Sequence, residues 1–183
     1  TTWTRAINNA SIYNISSVAA SGNGNPGSNV NIGSPACITN ATAVSATNKD
    51  DSVSSYGDYN TLVDFFAPGT SINSTVPTGS CELCSSTGYS AISGTSMATP
   101  HVSAMFTLVR EFVRLQNGTL LTPRAIQTFL QNSGKNISAS GNIYKRPDVY
   151  PTIIALDSSA PNVSLTSPKN STAGPAILFS SLS

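Results

Sequence analysis

The chain has 183 residues, with 9 Lys and Arg, 8 Asp and Glu, and one His. That length supports one medium domain with a real core. Only 9% of residues are charged and 39% are hydrophobic. This excludes a basic field for nucleic acid, and no apolar run of about 20 residues spans a membrane.

The chain opens Thr1-Thr2-Trp3, without an initiator Met or an apolar signal region. A processed product or a fragment is expected. Eight Asn-X-Ser/Thr sequons occur, at Asn9, Asn14, Asn40, Asn73, Asn117, Asn136, Asn162 and Asn170. Together they lean toward a secreted or cell-surface glycoprotein. The three cysteines cannot all pair internally. Cys81-Glu82-Leu83-Cys84 lies in turn material and reads as a local disulfide, not as a redox motif or a zinc half-site. Cys37 reads as a small buried apolar residue.

In chain order, Ala6, Ile7, Ala10 and Tyr13 have helical spacing over residues 4–14. A β-prone run from Ile15 to Ala20 follows and breaks at Ser21-Gly22-Asn23-Gly24-Asn25-Pro26-Gly27. A helix, a strand and a Gly/Asn turn predict an α/β unit, in which ligands collect at the strand's C-terminal end. Ala41 to Ala46 reads as a buried strand. Asp50-Asp51 reads as a solvated turn, and Val53 to Gly57 as a turn or short strand. Leu62 to Ala67 reads as a strand stopped by Pro68-Gly69. Residues 71–93 read as a hairpin-like excursion carrying the paired cysteines. A long helix is predicted from Ser96 to Leu115. A second follows the cap Thr122 and Pro123, and runs to about Asn132. Residues 143–156 close the domain. From 157 a linker leads into what reads as the start of a β-sandwich.

The stretch Gly94-Thr95-Ser96-Met97-Ala98-Thr99-Pro100-His101-Val102 stands out. It sets a Gly and two hydroxyls at the mouth of the long helix. Beyond Pro100 the helix is apolar nearly all round, which predicts burial on every side. A Ser on the first turn has an unpaired backbone N–H beside it and the positive end of the helix dipole. Such a place suits attack by the hydroxyl and stabilisation of an oxyanion.

This nine-residue stretch resembles the nucleophile motif of the subtilisin-like serine proteases, the subtilases. Val18-Ala19-Ala20-Ser21-Gly22-Asn23 resembles their oxyanion strand. Ala43-Val44-Ser45-Ala46, Ser54-Ser55-Tyr56-Gly57 and Asp64-Phe65-Phe66-Ala67-Pro68-Gly69 resemble later segments, in the right order. The resemblance implies a partial three-layer α/β fold with a parallel sheet, over residues 1–156, as the C-terminal part of a peptidase domain. Residues 157–183 resemble, less specifically, the start of an immunoglobulin-like module. The implied reaction is peptide-bond hydrolysis through an acyl-enzyme on Ser96, with Asn23 in the oxyanion hole. Ala20, Ser21 and Gly22 would line the substrate pocket. No cofactor would be required. A structural Ca2+ near Asp64 is the one metal the resemblance suggests. The implied partners are a protein or peptide substrate and an upstream part of the same catalytic domain.

The family's Asp and His would precede Asn23, and this chain begins shortly before it. The only His is His101. It lies five residues from Ser96, about 140° around the helix at roughly 100° per residue, so its ring diverges from the hydroxyl. The residues supply a nucleophile and an oxyanion site without a base. The competing reading is a degenerate protease domain kept as a surface or adhesion scaffold.

Overall fold

A computed structural model of the chain describes residues 1–24, 27–28 and 31–157. The linker and sandwich-like strands expected beyond 157 lie outside the described residues. In chain order the elements are α1 (Thr2–Ile12), β1 (Ser17–Ala20), β2 (Gly27–Ser28), β3 (Ala41–Thr47), β4 (Asp58–Tyr59), β5 (Phe65–Pro68), β6 (Ile72–Thr75), β7 (Tyr89–Ile92), α2 (Thr95–Asn117), α3 (Pro123–Ser133), β8 (Lys135–Ala139), β9 (Asn142–Arg146) and α4 (Val149–Leu156).

The centre is a parallel sheet in the order β1-β3-β5. All seven residues of β3 are buried. Small and β-branched residues without polar alternation suit a parallel strand covered on both faces. Val44 and Ala46 pack with Ala98, Val102, Phe106 and Val109 of α2 and with Ile126 and Leu130 of α3. Ala43 belongs to the opposite core, with Phe66, Tyr59 and Tyr144. The two phenylalanines of β5 divide the same way. Phe65 meets Phe106 edge-on at 6.4 Å, and Phe66 meets Tyr144 at 5.0 Å. Both rings are fully buried, each contributing about 1.5–3 kcal/mol relative to exposure.

The second core layer comes from a hairpin that the sequence reading passed over. β8 and β9 pair antiparallel around Ser140-Gly141, with φ of 47° and 77°. Positive φ at both positions is the type I′ geometry that matches strand twist. Ile137, Ala139 and Tyr144 face the sheet from this hairpin. Asp51 ties it down through Lys135 and Arg146, each at 2.7 Å. Asp51 is therefore an ion-paired anchor and not the solvated turn residue expected.

Helix α2 also departs from expectation. It is buried along one stripe, Thr95, Ala98, Val102, Phe106, Val109 and Val113. Leu108 and Leu115 are 52% and 71% exposed. Steps of three and four residues mark a single face laid on a sheet, and the described residues cover only that face. Arg110 reaches from α2 to the Ser16 hydroxyl at 3.1 Å. Its Nε is buried and has no acceptor among the described residues.

Smaller corrections have local causes. β5 begins at Phe65, because Asn60 closes a turn through Leu62 N at 2.8 Å and Val63 N at 3.1 Å. Pro68 ends the strand from inside it, which an edge strand tolerates. Cys37 is exposed, because Ala36 and Ile38 take the inward positions of its turn. The excursion is as expected: β6 and β7 pair antiparallel and Cys81 is bonded to Cys84. Thr122 caps α3 by accepting from Ala125 N at 3.2 Å.

Asp64 sits at the head of β5. Its carboxylate accepts from Ala43 N at 2.8 Å and from Gln127 Nε2 at 2.6 Å, joining β3, β5 and α3. Burial pushes its carboxyl above the usual 3.8, against the two hydrogen bonds and the charge of Arg124. The folded state therefore holds this proton to higher pH than the unfolded chain. Stability from this group is full below the unfolded pKa and falls as pH rises through the folded one. Asp64→Asn keeps an amide that Gln127 can meet by turning its own. As pH rises above the ordinary carboxylate range, the urea midpoint of the variant is expected to fall less, or rise more, than that of the wild type. An unchanged slope would refute this.

Candidate active site

Two loops converge at the C-terminal end of the parallel sheet. The first leaves β1 at Ala20 and runs through Ser21, Gly22, Asn23 and Gly24. The second leaves β7 through Ser93 and Gly94 into α2. Ser21 N donates to Val44 O at 2.9 Å and keeps the first loop beside β3. Gly94 N donates to Gly69 O at 2.9 Å and keeps the second beside β5.

Thr95 pins the loops together. Its N–H donates to Asn23 Oδ1 at 2.9 Å and its hydroxyl to the same oxygen at 3.0 Å. That hydroxyl in turn accepts from Gly22 N at 3.2 Å. Thr95 is 1% exposed, so the pin is sheltered from competing water. Fixing Oδ1 also fixes the amide's orientation, because the two ends of an amide are opposed. Nδ2 then lies over Gly94, 3.2 Å from where a Cβ would stand.

Ser96 is exposed on the first turn of α2. Gly94 caps the helix without a side chain. The first-turn donors divide unequally: Thr95 N goes to Asn23, while Met97 N and Ala98 N go to Gly94 O. Ser96 N finds no backbone acceptor among the described residues. An exposed Ser, its own unused N–H and an oriented amide nitrogen thus flank one helix mouth. Pro100 lacks the N–H that would reach the Ser96 carbonyl.

His101 Nδ1 lies 3.0 Å from Met97 O and donates to it. The ring is held along its own helix, as the spacing argument anticipated. Ser21 is 2% exposed and spends its hydroxyl on Asp58 O at 2.6 Å. Ala20 and Gly22 are half-buried beside it. Both Asp64 oxygens accept hydrogen bonds, and no group of three or more His, Cys, Asp or Glu side chains gathers among the described residues. A groove of about 330 Å3 between α3 and α4 is lined by Phe129, Asn132, Ser133, Thr152, Ala155 and Leu156. None of the candidate catalytic residues lines it.

Sequence reasoning missed two residues here. Thr95 was noticed only as a hydroxyl of the motif, and no local pattern reveals that it reaches back 72 residues to Asn23. Asp58 follows Gly57 with no periodicity or motif to mark it.

An open α/β sheet with an exposed Ser at a helix mouth, above the C-terminal ends of its strands, is the class of α/β fold in which ligands collect at that edge. The chain belongs to the Subtilase family (Peptidase_S8), whose profile matches residues 1–166. The match runs past α4 into residues outside the structural description. The extracellular protease of Xanthomonas campestris pv. campestris is 38% identical over 135 residues, 74% of this chain and 22% of that protein. Thermitase of Thermoactinomyces vulgaris is 34% identical over 142 residues, 78% of this chain and 44% of that protein. The crystal structure of a cold-adapted subtilisin-like serine proteinase aligns with a TM-score of 0.61 and 30% identity, covering 80% of this chain and 49% of that one. A lanthipeptide protease aligns with a TM-score of 0.73 at 19% identity, over 85% of this chain and 55% of its own, and shows the fold. The chain thus spans 22% to 44% of the two sequence relatives.

Proposed function

We propose that this chain carries the nucleophile and oxyanion site of a secreted serine endopeptidase, and that its general base lies outside residues 1–183. Ser96 attacks the scissile carbonyl. The Ser96 N–H and the Asn23 amide receive the oxyanion of the tetrahedral intermediate. Both are neutral donors, so the site does not titrate away across the working pH range. The observation that carries this reading is the pair of hydrogen bonds that the Thr95 N–H and hydroxyl donate to Asn23 Oδ1, which turns the amide nitrogen toward the helix mouth beside the unused Ser96 N–H. Ala20 and Gly22 would border the substrate backbone. Ca2+ at Asp64 would require carbonyl oxygens to join a carboxylate already hydrogen-bonded twice. Extracellular placement is supported by the name of the Xanthomonas relative and by exposed sequon asparagines Asn9, Asn40, Asn73, Asn117 and Asn136.

A Ser without a general base is a weak nucleophile at its own pKa. The 183-residue chain alone is therefore expected to remain unlabelled by a fluorophosphonate probe, whereas the full-length protein labels at Ser96. Labelling of the isolated chain at the full-length rate would mean that the base lies within it. A full-length protein that neither labels nor cleaves peptides would favour the scaffold reading.

Among the described residues β1 has no partner on its outer edge, Leu108 and Leu115 of α2 are exposed, and Arg110, which bonds Ser16 just before β1, has a buried Nε without an acceptor. They support a further segment of the same catalytic domain as the intramolecular partner. An edge strand and large apolar side chains left bare, here Leu108 and Leu115, invite association. The isolated chain is accordingly expected to self-associate on size-exclusion chromatography. A monodisperse monomer with a sharp cooperative melt would contradict this.

A further inference from the structure

We infer that Asp58 is a positioning residue for the oxyanion loop, an inference that rests on the Ser96 and Asn23 reading above. Asp58 is a carboxylate only 7% exposed. It touches the loop bearing Asn23 from both its backbone and its side chain. Asp58 N donates to Gly22 O at 2.9 Å, and Asp58 O accepts the Ser21 hydroxyl at 2.6 Å. Its Oδ2 accepts Gly24 N at 3.2 Å. The three bonds bracket Asn23 on both sides. Thr95 fixes the Asn23 side chain, and Asp58 fixes the backbone that carries it.

The fit is close. Gly22 has φ of 121°, and a Cβ there would stand 2.4 Å from Asp58 Oδ2. The carboxylate therefore fills the place a side chain at residue 22 would take. Its mount is firm. The next residue, Tyr59, is 8% exposed, packs on Phe66 at 5.5 Å and on Tyr144 at 6.1 Å, and bonds Ser140 Oγ at 2.9 Å. The second core layer, including the β8–β9 hairpin, is thereby linked through β4 to the loop.

The sign of the charge says how Asp58 acts. A negative charge near an oxyanion site would oppose the charge that develops there. What the loop draws from Asp58 is the hydrogen bond to Gly24 and the shape beneath Gly22, and neither needs a charge. A neutral acceptor of the same size should serve as well.

The test uses the full-length protein and a chromogenic peptide substrate. Asp58→Ala is expected to lower kcat by about 10²-fold, the cost of a small misplacement at a reacting centre, with KM little moved. Its affinity for a peptide boronate, which makes a tetrahedral adduct on Ser96, should fall in step with kcat. Asp58→Asn should restore most of both. Wild-type kcat in Asp58→Ala overturns the inference, as does Asp58→Asn as slow as Asp58→Ala. Should Asp58→Ala fail to fold, hydrogen exchange on the unaltered protein still decides. The Gly24 amide is expected to be protected, and its rapid exchange overturns the inference. If Ser96→Ala and Asn23→Ala cripple the enzyme while Asp58→Ala does not, this inference alone has failed. If Ser96→Ala leaves activity intact, the reading beneath it fails too and takes this inference with it.

Discussion

Ser96→Ala in the full-length protein is expected to abolish peptide cleavage, lowering kcat by about 10⁶-fold, the size found when a subtilisin loses its nucleophile. The expectation follows from position. Ser96 is the exposed hydroxyl of the α2 first turn, while Thr95 is buried and committed to Asn23 and Gly22. Thr99 bonds back to Thr95 O at 2.8 Å and cannot substitute. Ser93 lies on the other side of Gly94, before the helix begins, and accepts from Ser71 N at 2.9 Å. KM should change little, since a Ser hydroxyl adds little to ground-state binding. Folding should also survive, because Ser96 is exposed and Gly94, not Ser96, caps the helix. A melting temperature close to wild type with no turnover is the expected pair of readings. Retained turnover with the same substrate would remove Ser96 from the mechanism.

How far the sequence reached depends on how local each cause is. Strand β3 was legible because burial on both faces writes itself into seven consecutive residues. Helix α3 was legible because Thr122 and Pro123 announce its start. The β8–β9 hairpin was missed although Ser140-Gly141 is a turn signal between alternating residues. The one-sided burial of α2 could not be read, because Leu108 and Leu115 look like core in sequence and lie exposed in space. At the site, Ser96 and Asn23 came through a resemblance. Their mutual geometry came only from the fold, because Thr95 and Asn23 are 72 residues apart. Asp58 had no sequence signal at all. Its meaning lies in contacts from β4 to Ser21, Gly22 and Gly24 of the loop after β1, more than 30 residues earlier in the chain.

Asn23→Ala in the same full-length protein is expected to lower kcat by about 10²–10³-fold with KM nearly unchanged, the loss typical of one oxyanion donor. The split between the two constants is the informative part. A donor aimed at charge that exists only in the transition state affects the rate and not ground-state binding. The structure adds a second consequence. Asn23 Oδ1 accepts both the N–H and the hydroxyl of Thr95. Removing the side chain leaves those two donors of a 1%-exposed residue without their acceptor, which costs about 1–3 kcal/mol when a buried donor goes unpaired. Asn23→Ala should therefore also lower the melting temperature, unlike Ser96→Ala. Asn23→Asp separates the two effects. Its carboxylate can still accept from Thr95, so stability should recover. The group offers no donor when ionised and repels the oxyanion. Turnover should stay low or fall further. Stability and rate recovering together in Asn23→Asp would show that Asn23 serves only to hold Thr95, and the oxyanion role would have to pass to another donor.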